Sequence, residues 1–128
     1  NGYVETVYGR RCYIPSINDK NPMIRAGAER QAINAPLQGA AADIIKRSMR
    51  DFPKILIKEE INAKLILQVH DELIFECSST DVDKLILLVK YKMINAAKPG
   101  FRMQVPLEVE IGVGDNWDEA HWINIFII

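Results

Sequence analysis

Cysteine and histidine are scarce in this 128-residue chain, at two each, and long apolar runs are missing. Cys12 and Cys77 make no spaced framework, so a disulfide-stapled secreted domain is excluded and a reduced, cytoplasmic compartment is the simpler reading. His70 and His121 are far apart and no zinc-type spacing exists, which ranks a metal-dependent phosphohydrolase built on His70, Asp71 and Glu72 last among the readings. No stretch approaches the roughly 20 consecutive apolar residues of a membrane-spanning helix, and no signal peptide precedes the first structured-looking segment. The sequence opens on Asn1, within such a segment, so a C-terminal piece of a longer protein is expected.

The composition, 48% apolar and 26% charged, is that of an ordinary globular chain. The length leaves room for one domain with a real core. The net charge of −1 hides an asymmetry: residues 1–54 carry nine Lys or Arg against five Asp or Glu, and residues 55–128 carry seven against twelve. A basic half beside an acidic half suits a protein that holds a phosphate backbone with one part and metal ions with the other; ordinary scatter would look the same.

The chain is organised around residues 68–76. Leu65 to Val69 and Leu73 to Cys77 are short and rich in β-formers. Pairing Val69 with Leu73, Leu67 with Phe75 and Leu65 with Cys77 puts six apolar side chains on one face, which predicts a β-hairpin with a three-residue connection, His70-Asp71-Glu72. That connection has no Gly, Asn or Pro, and it sets two carboxylates side by side. Such a local inconsistency is expected at functional sites. Adjacent carboxylates are hard oxygen ligands suited to Mg²⁺ or Mn²⁺. Taken alone, the pair reads more simply as a solvated acidic turn.

Tyr3 to Pro15 predicts a second hairpin turning at Gly9-Arg10. Arg10 and Arg11 suit phosphate contacts, or a solvated surface equally well. Residues 23–52 predict a helical block, with a kink or two abutting helices at Pro36. Arg30, Asn34 and Gln38, four residues apart, drift by about 40° per step and share a face; on spacing alone they are the wet side of an amphipathic helix. Gly39-Ala40-Ala41-Ala42 is a small-residue patch that admits close packing, by the acidic hairpin or by nucleic acid. Residues 53–62 continue towards the hairpin through more helix. Residues 78–81 signal a helix start, and Val82, Leu85, Ile86, Val89 and Met93 mark the buried face of a helix reaching about Ala97. Residues 105–113 alternate as a strand that joins the hairpin's sheet, with Glu108 and Glu110 on its wet face. The apolar tail 122–128 is too short to cross a bilayer and is expected to pack elsewhere or to be sticky.

Five stretches carry a resemblance. Gly2-Tyr3-Val4-Glu5-Thr6 with Gly9-Arg10-Arg11, the run Ala28 to Lys46, Gln68 to Glu76, Val105 to Val109, and Gly114-Asp115-Asn116-Trp117 resemble the family A DNA polymerases, in the same order. Gln68 to Glu76 looks like that family's motif C. The likeness reaches from Gly2 to about His121. It departs at Cys12, where the family is often basic, at Ala40, where Thr is common, and in the tail.

The order hairpin, kinked helices, hairpin, helix, strand predicts an α+β fold, a small mainly antiparallel sheet with helices packed on one face, and the resemblance makes residues 1–128 the C-terminal part of a polymerase palm. It implies template-directed DNA synthesis in replication and repair, in which a primer 3′-hydroxyl attacks the α-phosphate of a deoxynucleoside triphosphate. Two divalent ions, Mg²⁺ or Mn²⁺, would activate the hydroxyl and stabilise the leaving oxygens. Asp71 matches a catalytic metal ligand and Glu72 an auxiliary carboxylate. Arg30, Asn34 and Gln38 match residues that face the minor groove of primer–template DNA, whose acceptors look nearly alike for every correct pair, and His70 matches one that reaches the primer-terminal base pair; His70 could instead only orient a carboxylate. The upstream palm, fingers and thumb of the parent chain are missing, so the isolated fragment is expected to be inactive and to bind Mg²⁺ weakly. The competing reading is a non-catalytic duplex-binding module with a structural acidic hairpin.

Overall fold

A computed structural model describes residues 2–98, 100, 108–120 and 125–127. The chain divides into two compact units, Asn1–Asp43 and Ile44–Ile128. One helix, α1 (Pro22–Lys58), contributes to both. Its start is set by Asn21, whose Oδ1 accepts the Met23 amide at 3.0 Å while Pro22 takes the first helical position, where no amide is needed. At its end, the Glu60 amide donates to the Ile57 carbonyl and the Ile61 amide to that of Leu56, with Glu60 left-handed at φ 54°. This is a Schellman closure with glutamate where glycine is usual. Leu56 and Ile61, both buried in the same core, supply its apolar contact. The helix runs through Pro36 as one element, not two. A single missing donor costs one backbone bond, and the Ala, Leu and Gln residues around it favour the helix strongly.

In the first unit, β1 (Tyr3–Glu5) and β2 (Arg11–Tyr13) pair antiparallel. The turn begins earlier than the sequence suggested: the Thr6 amide donates to the Arg10 carbonyl and the Gly9 amide to that of Thr6, with Gly9 at φ 79°. The connection after β2 holds a short 3₁₀ turn, Pro15–Asn18. Gly39 is the point of close approach. A Cβ there would stand 2.5 Å from Thr6 Cγ2. At Gly39, then, the small-residue patch receives the β1–β2 hairpin.

In the second unit, β3 (Ala63–Val69), β4 (Glu72–Cys77), β5 (Ile111–Val113) and β6 (Ile125–Ile127) form one sheet in the order β3-β4-β6-β5. The longest ladder, β3 with β4, is antiparallel, and β6 runs parallel to both β4 and β5. The fold is α+β. Leu73 and Phe75 point into the main core with Phe52 and Leu56 of α1 and Leu85, Val89 and Met93 of α2 (Val82–Asn95). The rings of Phe52 and Phe75 meet edge to face at 5.1 Å. Ile74 points the other way, against Ala120 of the short α3 (Trp117–Ala120). Because β4 lies inside the sheet, three consecutive residues, Leu73, Ile74 and Phe75, are each at most 2% exposed.

Two expectations change here. The strand read over residues 105–113 covers only Ile111–Val113 among the described residues; Glu108 and Glu110 precede it and are exposed, and residues 101–107 lie outside the described part. The tail is not a loose end. Residues 125–127 form β6, between β4 and β5, and Ile127 is 1% exposed in the main core.

Candidate catalytic hairpin and nucleic-acid-binding face

The acidic hairpin has a two-residue turn, His70-Asp71, with Val69 facing Glu72, Gln68 facing Leu73 and Leu67 facing Ile74. The three-residue connection and its pairs, Val69 with Leu73, Leu67 with Phe75 and Leu65 with Cys77, are not formed. The ladder slips between Leu65 and Leu67, so that Leu65 faces Phe75 and Ala63 faces Cys77. This bulge puts an extra residue, Ile66, into β3 and changes the face on which its side chains lie. Below it, Ala63 and Leu65 pack on the main core; above it, Val69 packs on the Ile74–Ala120 cluster. A uniform alternation would have kept all of them on one side.

The tight turn needs a left-handed residue. His70 supplies it at φ 52°, a conformation that costs a side-chain-bearing residue about 1–2 kcal/mol. The cost is offset locally: Gln68 Nε2 donates to the His70 carbonyl oxygen and closes the turn from one side. Asp71 is thereby held exposed at the tip, with Glu72 half-buried as the first residue of β4. The role of Gln68 follows from the turn, which local patterning does not predict.

The two carboxylates fit a divalent cation by chemistry, being hard oxygen donors on adjacent residues. They are not a complete site. Among the described residues no group of three or more His, Cys, Asp or Glu side chains is placed to hold a metal ion. His121, the other histidine, lies outside the described residues.

In the first unit, Arg30, Asn34 and Gln38 are all exposed on α1, on the face their spacing predicts. Ile33 and Leu37, 70% and 72% exposed, lie among them. Two large apolar side chains beside three long polar ones make a face unlike an ordinary wet helix side. The two hairpin arginines are engaged at home. Arg10 Nη2 bonds Asp43 Oδ1 and the Gly39 carbonyl, each at 2.9 Å, and Asp43 also accepts from the Thr6 hydroxyl. Arg11 Nε bonds Glu5 Oε1 at 3.0 Å, and its guanidinium lies over the Tyr3 ring. The Glu5 bond holds the Arg11 pKa above its ordinary value, so Arg11 stays charged. Both arginines thus brace the β1–β2 hairpin.

No helix among the described residues is long and apolar enough to cross a membrane.

Residues 1–119 match the family described as DNA polymerase family A. The chain is 48% identical over 122 residues to the DNA polymerase I of Rhizobium leguminosarum, covering 94% of this chain and 12% of that protein. It is 49% identical over 120 residues to the DNA polymerase I of Pseudomonas aeruginosa, covering 94% and 13%. Among solved structures it resembles the POL domain of Pol1 from M. smegmatis in complex with DNA primer-template and dNTP. That likeness has a TM-score of 0.74 and 44% identity over 84% of this chain and 18% of that one. The chain therefore spans about an eighth of the length of these relatives.

Proposed function

The chain belongs to DNA polymerase family A, and on that premise we propose that it is the C-terminal part of the palm of a DNA-directed DNA polymerase that extends a primer from deoxynucleoside triphosphates in DNA replication and repair. The observation that carries this reading is the acidic turn: Asp71 stands exposed on a strained two-residue turn that Gln68 holds closed. Any two-residue turn needs a left-handed residue, but one without function would fill that place with glycine or asparagine, and here it is a histidine.

Asp71 is the proposed catalytic metal ligand and Glu72 an auxiliary carboxylate. Bound Mg²⁺, or Mn²⁺, would supply charge stabilisation for nucleotidyl transfer. Because two carboxylates are an incomplete set, the remaining ligands come from other parts of the parent chain. Its upstream palm, fingers and thumb are therefore required partners. His70, beside Asp71, is proposed to touch primer–template DNA. Arg30, Asn34 and Gln38 are proposed to donate to minor-groove acceptors, which differ little between correct pairs and so permit contact without sequence readout. Arg10 and Arg11 are proposed phosphate contacts of lower weight, since both already brace their own hairpin. The two cysteines without a framework support a cytoplasmic location, nucleoid-associated if the parent is bacterial.

A second reading, a duplex-binding module whose acidic hairpin is structural, is favoured only by the incomplete ligand set. The two are separated by comparing the purified 128-residue chain with its full-length parent in primer extension and in Mg²⁺ titration. The proposal expects extension by the parent alone, and weak Mg²⁺ binding by the chain. Extension by the isolated chain, or its absence from the parent, contradicts it.

A further inference from the structure

The second unit carries more acid than base, yet one cleft in it is cationic. Arg47 and Arg50 of α1 face Lys92 of α2 and Lys98, just beyond that helix, across a space of about 270 Å³. One carboxylate, Asp51, shares the lining, and it is committed. Its Oδ1 and Oδ2 take Arg50 Nε at 2.9 Å and Nη2 at 3.2 Å. That pairing fixes the guanidinium plane and holds the Asp51 carboxyl below its ordinary pKa, so the pair stays ionised. Lys98 Nζ is steered by Asn95 Oδ1 at 3.3 Å. Tyr91, also lining the cleft, is 63% exposed.

This combination is selective. Lys92 and Lys98 bring charge that the Arg50–Asp51 pair does not neutralise, which calls for an anion. The space is near the lower end of ligand pockets, about 300 Å³, which suits a single phosphate group with part of its nucleotide. An acidic peptide would use the cations but leave the Tyr91 ring idle; a single nucleic-acid strand uses both, because a base stacks on an exposed aromatic face while its phosphate pairs with the cations. None of the lining residues belongs to the acidic hairpin or to the exposed helical face of the first unit.

We propose that this cleft binds one phosphodiester group of a single-stranded nucleic acid, with the adjoining base stacked on Tyr91, as a contact separate from those of the acidic hairpin and the helical face. It deepens the polymerase reading by adding a single-strand contact, but its test does not depend on catalysis.

The test is fluorescence anisotropy of a labelled 12-nucleotide oligothymidylate and of a blunt duplex, titrated with the 128-residue chain at several salt concentrations. Wild type is compared with Lys92→Ala/Lys98→Ala and with Tyr91→Ala, each shown by circular dichroism to stay folded. The double variant is expected to bind the single strand about ten-fold more weakly, with the salt slope reduced by about 0.7, the value for one phosphate neutralised on a single strand. Tyr91→Ala is expected to weaken it about ten-fold with the slope intact. Duplex affinity should not change. Wild-type failure to bind the single strand overturns the proposal, whatever the parent does in primer extension. So does unchanged affinity in the double variant, equal loss on the duplex, or polyglutamate competing as well as the oligonucleotide with Tyr91→Ala harmless. If a double variant does not fold, Lys98→Gln alone replaces it, with a smaller loss in the same direction.

Discussion

Gln68 reaches across the tip of the acidic hairpin and donates its side-chain amide to the carbonyl oxygen of His70. The bond holds the one residue of the turn that pays for a left-handed backbone, and so fixes where Asp71 stands. Gln68 is a positioning residue; it acts through the turn. Gln68→Ala should destabilise the chain by about 1 kcal/mol, the usual net value of one such bond. Gln68→Glu should cost at least as much, since it cannot donate and adds charge beside two carboxylates. Urea denaturation checks both. In the parent, the Ala variant should lower the extension rate while leaving primer–template affinity unchanged. Wild-type stability in both variants would show that the bond does nothing.

The tail makes a second prediction. Ile127 is 1% exposed and sits in the main core with Leu73 and Phe75. Ile127→Ala should therefore cost about 2–5 kcal/mol, as for a buried aliphatic residue cut to alanine. A change within about 0.5 kcal/mol, as for an ordinary surface site, would mean that β6 does not pair with β4 in solution.

Cys77 gives a prediction in pH. Burial, and then the nearby Asp81 carboxylate, push its thiol above the ordinary value. Between the ordinary and the raised pKa, the unfolded chain loses the proton and the folded chain keeps it. This group's contribution to stability is therefore lost as pH rises past the ordinary thiol range. Iodoacetamide labelling of Cys77, followed by mass spectrometry, should show a rate–pH midpoint higher in the folded chain than in urea. Coincident midpoints would contradict the burial argument.

The local elements were legible because local chemistry makes them. Strong helix formers from residue 23 onward mark α1, the 3.6-residue spacing of Leu85, Val89 and Met93 marks the buried side of α2, and β-formers flank the acidic pair. What escaped depends on contacts distant in sequence. The bulge at Ile66 pays off only because β4 is covered on both faces, by Phe52 on one side and Ala120 on the other. Three residues of β6 have no period to detect; their place is set by β4 and β5. Gly39 looked like a landing site for any close neighbour, and only the tertiary structure names Thr6 and Arg10. Of the candidate site, residue types and spacing alone favoured a solvated acidic turn at Asp71 and Glu72 and a wet helix side at Arg30, Asn34 and Gln38; the resemblance marked them as site residues, and neither reading contained the turn that presents the carboxylates. A three-residue loop would have hidden the part played by Gln68.

The central claim is that Asp71 holds metal for chemistry. The most direct measurement is primer extension by the full-length parent, wild type against Asp71→Asn, with primer–template affinity measured on the same preparations. The substitution keeps the size of the side chain and removes its charge. Extension should fall by several orders of magnitude while DNA affinity stays within a few-fold of wild type. Extension that persists in Asp71→Asn would contradict that claim and make the hairpin turn structural.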